Sequence, residues 1–509
     1  MPISSATDYE LRDIEDSYAA EQIASLYDAG IVAGDEHGYF HPKRAVTRQE
    51  FVAMLNRTLG VKPVASSIVA YSDVPKNSWA YGDVQAAASL GTVNGISASL
   101  FQPKRVISRE EAAVILVRAL ADASGSTSAA SSLKDGNGIS KWAAAHVSAA
   151  IENGWMTGYQ GNFRPADSLT REETAVLFER IHAVLAAKKA TADEPISLGW
   201  QYQLSTAQYI EQVKQSNVNT LSPRWFFINK DGSVSDSADA SLVQWAHEND
   251  KEVWPLFGNR FDSATTHAVL SDAGKRAAMV QTIAQYVEKY NLDGINVDFE
   301  GFSPNNRDHF TAFIRELAVA LDAHDAVVSV DIPPDTGTDW SDPFDYAKLA
   351  EYADYLVVMA YDQHWSGSPK AGSVATLPWM EGVVTKLLDY IPANKLVVGL
   401  PFYTREWYTA SNAVKSNDLS LPASYQMVQA NRGSIWWDAA LGQYVSTYNK
   451  QGVKYTAWLE DSRSLGRKAV SSHNREVAGL AYWYVGSESS DVWTALNNAI
   501  VLKQVRETL

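Results

Sequence analysis

The stretch Asp293-Gly294-Ile295-Asn296-Val297-Asp298-Phe299-Glu300 decides the fold of the larger part of this chain. Its apolar and polar residues alternate, and a period of two predicts a β-strand with two unlike faces. The apolar face would pack under helices, while Asn296, Asp298 and Glu300 would point into the interior of a barrel. Two carboxyl groups on an enclosed face lose hydration and repel each other, which raises the pKa of one and lets it donate a proton near neutral pH. The strand therefore indicates acid–base chemistry.

A structural ion network or a metal site is the other interpretation of these carboxyl groups. A hard cation would need more oxygen ligands in octahedral geometry, and no second acidic cluster in the sequence supplies them. The ten histidines are scattered along the chain. We therefore predict that the site holds no metal.

Short apolar strands alternate with helical stretches over residues 196–509, which is typical of a parallel sheet with helical crossovers. Eight strands suit a closed (β/α)8 TIM barrel of the α/β class. The long gap before the last strand predicts a small α+β insertion at about 408–478. The eight strand candidates begin near Ile196, Asn219, Glu252, Gly294, Val327, Asp354, Leu396 and Gly479.

Three N-terminal segments repeat four landmarks in the same order: an aromatic-Ala pair, a Gly-x-x-x-Gly turn, a Phe-x-Pro sequence and a Thr/Ser-Arg-x-Glu sequence. The aromatic residues are Tyr18, Trp79 and Trp142, and the arginines are Arg48, Arg109 and Arg171. Thr or Ser followed by Glu three residues later is a capping box, which places each arginine in the first turn of a helix. One unit is too small to bury a core, so the three should pack as an all-α, pseudo-threefold bundle. The predicted repeats are 1–60, 61–122 and 123–187, followed by a linker at 188–195.

The composition narrows the possible functions. The 509 residues carry a net charge of −16, which argues against binding the phosphate backbone of nucleic acid. No apolar run reaches the roughly 18 residues of a membrane span, and the absence of cysteine excludes disulfide scaffolds and thiolate chemistry. The start of the chain lacks a charged n-region and an apolar h-region, so either the protein is cytosolic or a signal peptide has been removed, and we expect the removal. A monomer is expected.

The strand motif Asp-Gly-x-x-x-Asp-x-Glu resembles the signature of glycoside hydrolase family 18. Met359-Ala360-Tyr361-Asp362 is similar to that family's Met-x-Tyr-Asp, and Trp483 is similar to its terminal Trp, the floor of the sugar subsite. The resemblance covers about residues 196–509. It implies retaining hydrolysis without a cofactor, in which the acetamido oxygen of the substrate attacks the anomeric carbon.

The same resemblance implies a role for each matching residue. Glu300 would protonate the glycosidic oxygen, Asp298 would orient and stabilise the acetamido group, and Tyr361 would donate a hydrogen bond to the acetamido oxygen. Asp293 and Asn296 complete the candidate catalytic set. The candidate substrate-binding residues are Met359, Asp362, Trp483, Arg405 and Trp407.

One position departs from the chitinases of the family, which usually have Asp where this chain has Asn296. The segments 399–407 (GLPFYTREW) and 458–461 (WLED), together with this Asn, look more like the peptidoglycan-acting branch, the spore-cortex-lytic N-acetylglucosaminidases. The missing charge is expected to change how Asp298 is protonated and therefore to affect the pH optimum.

The N-terminal repeats resemble S-layer homology (SLH) domains over about residues 10–185. Such triplets bind pyruvylated secondary cell-wall polysaccharide. Each repeat arginine would offer a bidentate fork to a ketal carboxylate, aided by helix N-terminal amides. The alternative is that each arginine makes only a local salt bridge to its neighbouring Glu.

Together these features predict an extracellular enzyme anchored in the cell wall, whose barrel cleaves a β-linked N-acetylglucosamine polymer, with peptidoglycan favoured. A chitinase or a chitooligosaccharide-acting enzyme is the second enzymatic hypothesis. A glycan-binding protein without catalysis and a purely structural surface-layer protein are the hypotheses from other classes. The presence of Glu300 argues against the binding protein, and the inward carboxyl groups argue against the structural one.

Overall fold

The computed structural model describes residues 11–121, 125–188 and 194–509. The chain divides into two compact units, one formed by Met1–Ala192 with Asn497–Leu509 and the other by Asp193–Leu496. Most of the predicted linker lies outside the described residues. Within the described ranges, no helix is long and apolar enough to cross a membrane.

The N-terminal unit is helical: each repeat contributes a pair of longer helices to it, and the third repeat adds the short helix α5. The predicted capping boxes open the second helix of each pair; for example, Ser108 Oγ accepts a hydrogen bond from the backbone N–H of Glu111. The helices are α1 (Ala20–Asp28), α2 (Arg48–Leu59), α3 (Tyr81–Ser89), α4 (Arg109–Leu120), α5 (Ser128–Ser131), α6 (Ala144–Glu152) and α7 (Arg171–Ala187).

The three repeats close into a ring through the loops before their capped helices. Isolated β-bridges join Ala45 to Thr170, Thr47 to Val106, and Ser108 to Ser168, so that each repeat meets the other two. The Phe-x-Pro phenylalanines are fully buried, and their backbone N–H groups donate to Asp13, Asp73 and Asp135 at 2.7–2.8 Å. This arrangement is the pseudo-threefold bundle that the repeats predicted.

The second unit contains the barrel and a separate antiparallel sheet. Its strands are β1 (Ile196–Trp200), β2 (Thr220–Ser222), β3 (Arg224–Ile228), β4 (Val234–Asp236), β5 (Glu252–Val253), β6 (Leu256–Gly258), β7 (Gly294–Asp298), β8 (Val327–Ile332), β9 (Tyr355–Met359), β10 (Leu396–Pro401), β11 (Tyr403–Ala410), β12 (Ala413–Ser420), β13 (Ser434–Asp438), β14 (Gln443–Lys450), β15 (Val453–Leu459) and β16 (Gly479–Trp483).

The barrel is closed, and two of its eight strands are interrupted. Pro223 separates β2 from β3, and Trp254-Pro255 separates β5 from β6, so each pair of short strands is one barrel strand. The parallel order β3-β6-β7-β8-β9-β10-β16-β1-β2-β5 therefore returns to its beginning, since β2 pairs with β5 and β3 pairs with β6. All eight predicted strands are present, which confirms the TIM barrel.

Helices cover the outside of the barrel, as the alternation predicted. Phe299 follows β7 on its apolar face and stacks on Phe313 at 5.4 Å between ring centroids, and both rings are fully buried. The helices of this unit are α8 (Thr206–Val213), α9 (Ala240–Glu248), α10 (Ser263–Leu270), α11 (Ala273–Tyr290), α12 (Arg307–Asp322), α13 (Tyr346–Tyr352), α14 (Leu377–Leu387), α15 (Leu421–Ala430), α16 (Ser462–His473) and α17 (Ser490–Thr508).

The insertion before the last strand is a five-stranded antiparallel sheet with α15 beside it. Its strand order is β12-β11-β15-β14-β13. The sheet begins at Tyr403, earlier than the predicted start at 408, because β11 follows β10 after a single residue, Phe402.

The N-terminal unit also includes the end of α17. Asn498 Oδ1 accepts the backbone N–H of Lys62 at 2.8 Å, and Asn498 Nδ2 donates to the carbonyl of Lys62 at 2.7 Å. Arg506 donates to the carbonyls of Arg118 and Ala119, at the end of α4. The sequence prediction counted these C-terminal residues with the barrel, whereas they complete the packing of the repeats.

Candidate active site and candidate binding grooves

A cavity of about 530 Å³ lies at the carboxyl ends of the barrel strands, which is the end that carries the active sites of such barrels. Side chains from six barrel strands and from the insertion meet there. The predicted residues that line it are Asp298, Glu300, Met359, Tyr361, Asp362, Arg405 and Trp483, and further lining residues include Trp200, Tyr202, Phe261, Asp331, Tyr403 and Asp418.

Asp298 and Glu300 reach the cavity from the end of β7 and are hydrogen-bonded to each other. Burial raises the pKa of Asp298 to about 6, against the opposing charge of Arg224. Burial, followed by the charges of Asp298, Asp331 and Asp362, raises the pKa of Glu300 well above its usual range. Both carboxyl groups therefore hold a proton to a higher pH than free carboxyl groups do, which is the behaviour that acid–base chemistry near neutral pH needs.

Asn259, just after β6, holds the backbone of Glu300 in place. The N–H of Glu300 donates to Asn259 Oδ1 at 3.0 Å, and Asn259 Nδ2 donates to the carbonyl of Glu300 at 2.8 Å. Asn259 Nδ2 also donates to Thr266 Oγ1 at 2.9 Å. The sequence analysis missed this residue because its partner is distant along the chain, and no local pattern marks the contact.

Tyr361 lines the same cavity from the end of β9. Burial raises the pKa of its hydroxyl well above the usual value, and the charges of Tyr403, Asp331, Glu300 and Asp298 raise it further. The phenol therefore stays neutral and can donate a hydrogen bond to an acceptor in the cavity.

The insertion supplies one wall of the cavity through Arg405. Its Nε donates to Asp418 Oδ1 at 2.6 Å, and its Nη1 donates to Asp362 Oδ1 at 2.9 Å. The hydroxyl of Tyr403 donates to the same oxygen of Asp362. Tyr403 and Asp418 were not predicted, although Tyr403 lies inside the GLPFYTREW segment that the sequence analysis singled out.

Aromatic rings form another part of the lining. Trp483, at the end of β16, meets Trp200 at 5.9 Å and Tyr202 at 5.4 Å between ring centroids. Phe261, which also lines the cavity, stacks on the exposed ring of Trp340 at 6.1 Å. Flat apolar faces of this kind suit the apolar faces of sugar rings.

Two predicted residues lie away from the cavity. Asp293 precedes β7, at the end of the strand opposite to Glu300, where its Oδ2 accepts the N–H of Val253 at 2.8 Å. Asp293 was predicted to belong to the catalytic set because it is part of the strand motif. It lies at the amino end of β7, whereas the cavity is at the carboxyl end, and this position corrects the prediction. Trp407 is 2% exposed and donates from Nε1 to the carbonyl of Gly372 at 2.8 Å, so it packs inside the insertion and not on the cavity wall.

Asn296 is fully buried behind the cavity lining. Its Oδ1 accepts hydrogen bonds from Trp200 Nε1 at 2.8 Å and Ser222 Oγ at 3.1 Å. Its Nδ2 donates to Ser329 Oγ at 3.1 Å and to Asp331 Oδ1 at 2.8 Å. Asn296 therefore reaches the cavity through Asp331 and Trp200, two lining residues that the sequence analysis did not identify.

The three repeat arginines are buried, and each reaches the next repeat around the ring. The guanidinium groups also lie 3.5–3.9 Å from the capping-box glutamate of that repeat: Arg48 from Glu111, Arg109 from Glu173 and Arg171 from Glu50. The local salt bridge considered from the sequence is thus replaced by one between repeats. Their Nε atoms donate at 2.6–3.0 Å to the carbonyls of Phe101, Phe163 and Phe40, respectively.

A groove of about 120 Å³ draws on all three repeats. It brings Arg171 of the third repeat to Trp79 of the second, beside Glu50 and Arg57 of the first. The indole of Trp79 is 58% exposed, and the rings of the equivalent aromatic residues are exposed as well. Small and apolar side chains complete the groove, namely Val32, Ala33, Ala53 and Met54.

Both units of the chain match known protein families. Residues 200–488 match Glycosyl hydrolases family 18, and residues 10–52, 70–113 and 132–175 match the S-layer homology domain. An uncharacterized glycosylase of Bacillus subtilis is 26% identical over 309 residues, which are 57% of this chain and 88% of that relative. A cortical fragment-lytic enzyme of Bacillus anthracis is 25% identical over 46% of this chain, and the match spans 56% of the relative's length.

A solved structure shares the fold of the barrel unit. The chitinase of Chromobacterium violaceum superposes with a TM-score of 0.56 and 21% identity, over 60% of this chain and 99% of its own. At that identity the likeness supports the fold alone.

Proposed function

The chain belongs to glycosyl hydrolases family 18 and carries three S-layer homology domains, and on this basis we propose that it cleaves a β-linked N-acetylglucosamine-containing glycan of the cell wall, with peptidoglycan as the favoured substrate. That it is a glycoside hydrolase follows from the family. The bond it cleaves, the mechanism and the wall polymer that anchors it are the proposed parts.

One observation carries the proposal: Glu300, Asp298 and Tyr361 meet in a single cavity. Burial and the neighbouring carboxyl groups raise the pKa of Glu300 well above its usual range, burial raises the pKa of Asp298 to about 6, and burial raises the pKa of Tyr361 well above its usual value. A proton donor, an anion and a hydrogen-bond donor are the three groups that substrate-assisted hydrolysis requires.

In the first step the Glu300 O–H gives its proton to the glycosidic oxygen while the bond from that oxygen to the anomeric carbon breaks. The acetamido oxygen of the same sugar forms the new bond to the anomeric carbon, which gives a cyclic oxazolinium. The Asp298 carboxylate accepts the acetamido N–H and stabilises the positive charge, and Tyr361 donates to the acetamido oxygen. The barrier falls because these groups are already in place.

In the second step water attacks the anomeric carbon while the Glu300 carboxylate takes a proton from it. The ring of the oxazolinium opens, and the sugar keeps its original anomeric configuration. Asp298 does not serve as the nucleophile in this scheme. Its hydrogen bond to Glu300 places it on the same side of the sugar as the acid. A protein nucleophile would instead face the acid from the opposite side of the sugar.

Peptidoglycan is favoured over chitin because of the N-terminal repeats. The S-layer homology domains indicate association with the cell surface, and an enzyme held there meets wall glycan at high effective concentration without any new contact. The similarity to a cortical fragment-lytic enzyme supports the same class of substrate. A chitinase is the second candidate.

The groove between the repeats suits a sugar that carries a carboxylate. Arg171 and Arg57 provide positive charge, while the exposed face of Trp79 provides a stacking surface. A pyruvyl ketal on the secondary cell-wall polysaccharide offers both an anion and an apolar sugar face, so we assign this polymer to the groove.

Product analysis by mass spectrometry tests the enzymatic proposal. The protein and its Glu300→Gln variant are incubated in parallel with purified peptidoglycan and with chitin oligosaccharides. Glu211→Gln is the matched control, because Glu211 is exposed and pairs only with Lys214 on the outside of α8. New reducing N-acetylglucosamine ends from peptidoglycan, absent with Glu300→Gln alone, are the expected result.

Two other outcomes would change the conclusion. Products from chitin oligosaccharides alone would make the protein a surface-bound chitinase that acts on external glycan. No product from either substrate, with sugar binding unaffected by Glu300→Gln, would make it a glycan-binding protein.

A further inference from the structure

Asp331 lies beside Asp298 on the neighbouring barrel strand. β7 and β8 pair in parallel with Asn296 next to Ser329 and Val297 next to Val330, so Asp298 and Asp331 are the next pair in the same register. Asp331 is 2% exposed and lines the cavity. The proposed mechanism assigns no role to this carboxyl group.

The contacts of Asn296 show how Asp331 is held. The Nε1 of Trp200 can only donate a hydrogen bond, so the atom of Asn296 that faces it at 2.8 Å must be the amide oxygen. The amide nitrogen therefore faces Asp331 Oδ1, also at 2.8 Å. An Asp at position 296 would place two carboxyl oxygens at this short distance, where they cannot both be ionised and must share a proton. An amide at 296 and a carboxyl group at 331 thus form a matched pair.

We propose that Asp331, which Asn296 holds beside Asp298 on the neighbouring strand, is a further carboxyl group of this site and favours the proton-donating form of Glu300. The inference rests on the proposed role of Glu300 as the acid. Asp331 acts through Glu300 and not on the substrate, so it is a positioning residue.

Asp331 interacts electrostatically with both other carboxyl groups of the site. Burial, followed by the charge of Asp298, raises the pKa of Asp331 well above its usual range, while hydrogen bonds from Asn296 and Trp200 oppose the shift. The charge of Asp331 in turn raises the pKa of Glu300. The titratable and charged groups around these carboxyl groups are Asp298 and Glu300 at β7, Tyr361 and Asp362 after β9, Arg224 on β3 and Tyr403 on β11.

The test measures the protonation of Glu300 directly, so it does not depend on hydrolysis. Infrared difference spectra of the full chain follow the carbonyl band of protonated carboxylic acids as a function of pH. The component that disappears in Glu300→Gln belongs to Glu300. In Asp331→Asn this component should titrate at a lower pH, by about one unit or more, because a nearby negative charge has been removed. Asp339→Asn, which removes an exposed carboxyl group after the same strand, should leave the midpoint unchanged.

An unchanged midpoint in Asp331→Asn would overturn the inference. Where the enzyme turns over glycan, the basic limb of its pH–kcat/KM profile should move to lower pH together with the infrared midpoint. A shifted midpoint in a protein that hydrolyses no glycan would refute the proposed function and leave the role of Asp331 standing.

Exchanging the matched pair gives an independent test. Asn296→Asp alone should lower the melting temperature and reduce kcat at least about tenfold. The double variant Asn296→Asp/Asp331→Asn should recover most of both, because one amide and one carboxyl group again face each other. A double variant that is no better than Asn296→Asp would refute the pairing.

Discussion

Replacing Asn259 by Ala should disturb the position of Glu300 while leaving its carboxyl group, the proposed acid, in the protein. The side chain of Asn259 is 2% exposed and touches no reacting atom in the proposed mechanism. It holds both backbone groups of Glu300, through hydrogen bonds of 3.0 and 2.8 Å, and it is itself held by Thr266 at 2.9 Å. Alanine removes these three bonds, together with the one that the N–H of Phe261 donates to Asn259 Oδ1 at 3.2 Å, and leaves the N–H and carbonyl of Glu300 without these partners.

The expected loss can be worked out from these bonds. Each contributes about 1 kcal/mol to stability, so the free energy of unfolding should fall by about 2–4 kcal/mol. The Glu300 carboxyl group would then be free to shift, and a misplacement of about 1 Å costs roughly 100-fold in rate. Because Asn259 makes no proposed contact to the sugar, kcat should fall about 100-fold while KM changes little.

Steady-state kinetics on the cleaved glycan, with thermal unfolding of the same preparations, measures both quantities. Asn305→Ala is the control, since Asn305 is an exposed asparagine beyond the end of β7, the strand that leads to Glu300. A variant with normal kcat and reduced stability would show that Asn259 is only structural. A raised KM at constant kcat would place it in substrate binding and refute the positioning argument.

Three further results are expected. Asp298 must be ionised to accept the acetamido N–H and its pKa is raised to about 6, so kcat/KM should fall as the pH drops below about 6; a profile flat to pH 4.5 would contradict this. Trp79→Ala should weaken binding to purified wall polysaccharide about tenfold, and Tyr39→Ala, at another exposed ring of the repeats, should not. Asn498→Ala should lower the unfolding free energy of the N-terminal unit by about 1–3 kcal/mol in chemical denaturation, whereas the exposed Asn497→Ala should have no effect.

The barrel could be predicted from the sequence because its strands are local signals. Each of the eight is a short apolar run bounded by a helix pattern, and in β7 alternation alone assigns Asp298 and Glu300 to the inner face. The repeats could be predicted equally well, since their capping boxes show where the second helix of each repeat begins.

The rest of the site depends on contacts between distant segments. Arg405 and Trp407 are two residues apart and share a face of β11, yet Arg405 reaches the cavity and Trp407 is covered by the segment that carries Gly372. Asn259 and Asp331 come from strands on either side of β7, and only the register of the sheet shows that they reach Glu300 and Asp298.

The repeat arginines show the same limit. Their position in the first helical turn was predictable from the capping boxes. The glutamate that each arginine contacts was not predictable, because the contacts form between repeats. Arg171, for example, lies 3.6 Å from Glu50, which is distant in the sequence. A charge pattern within one repeat cannot show which neighbouring repeat packs against it.

Proton NMR of the first product released from a β-linked N-acetylglucosamine glycan tests substrate-assisted catalysis most directly. The β-anomer should appear first and then mutarotate, and the same glycan after removal of its N-acetyl groups should not be cleaved. Initial release of the α-anomer, or equal cleavage of the deacetylated glycan, would contradict the proposed attack by the acetamido oxygen.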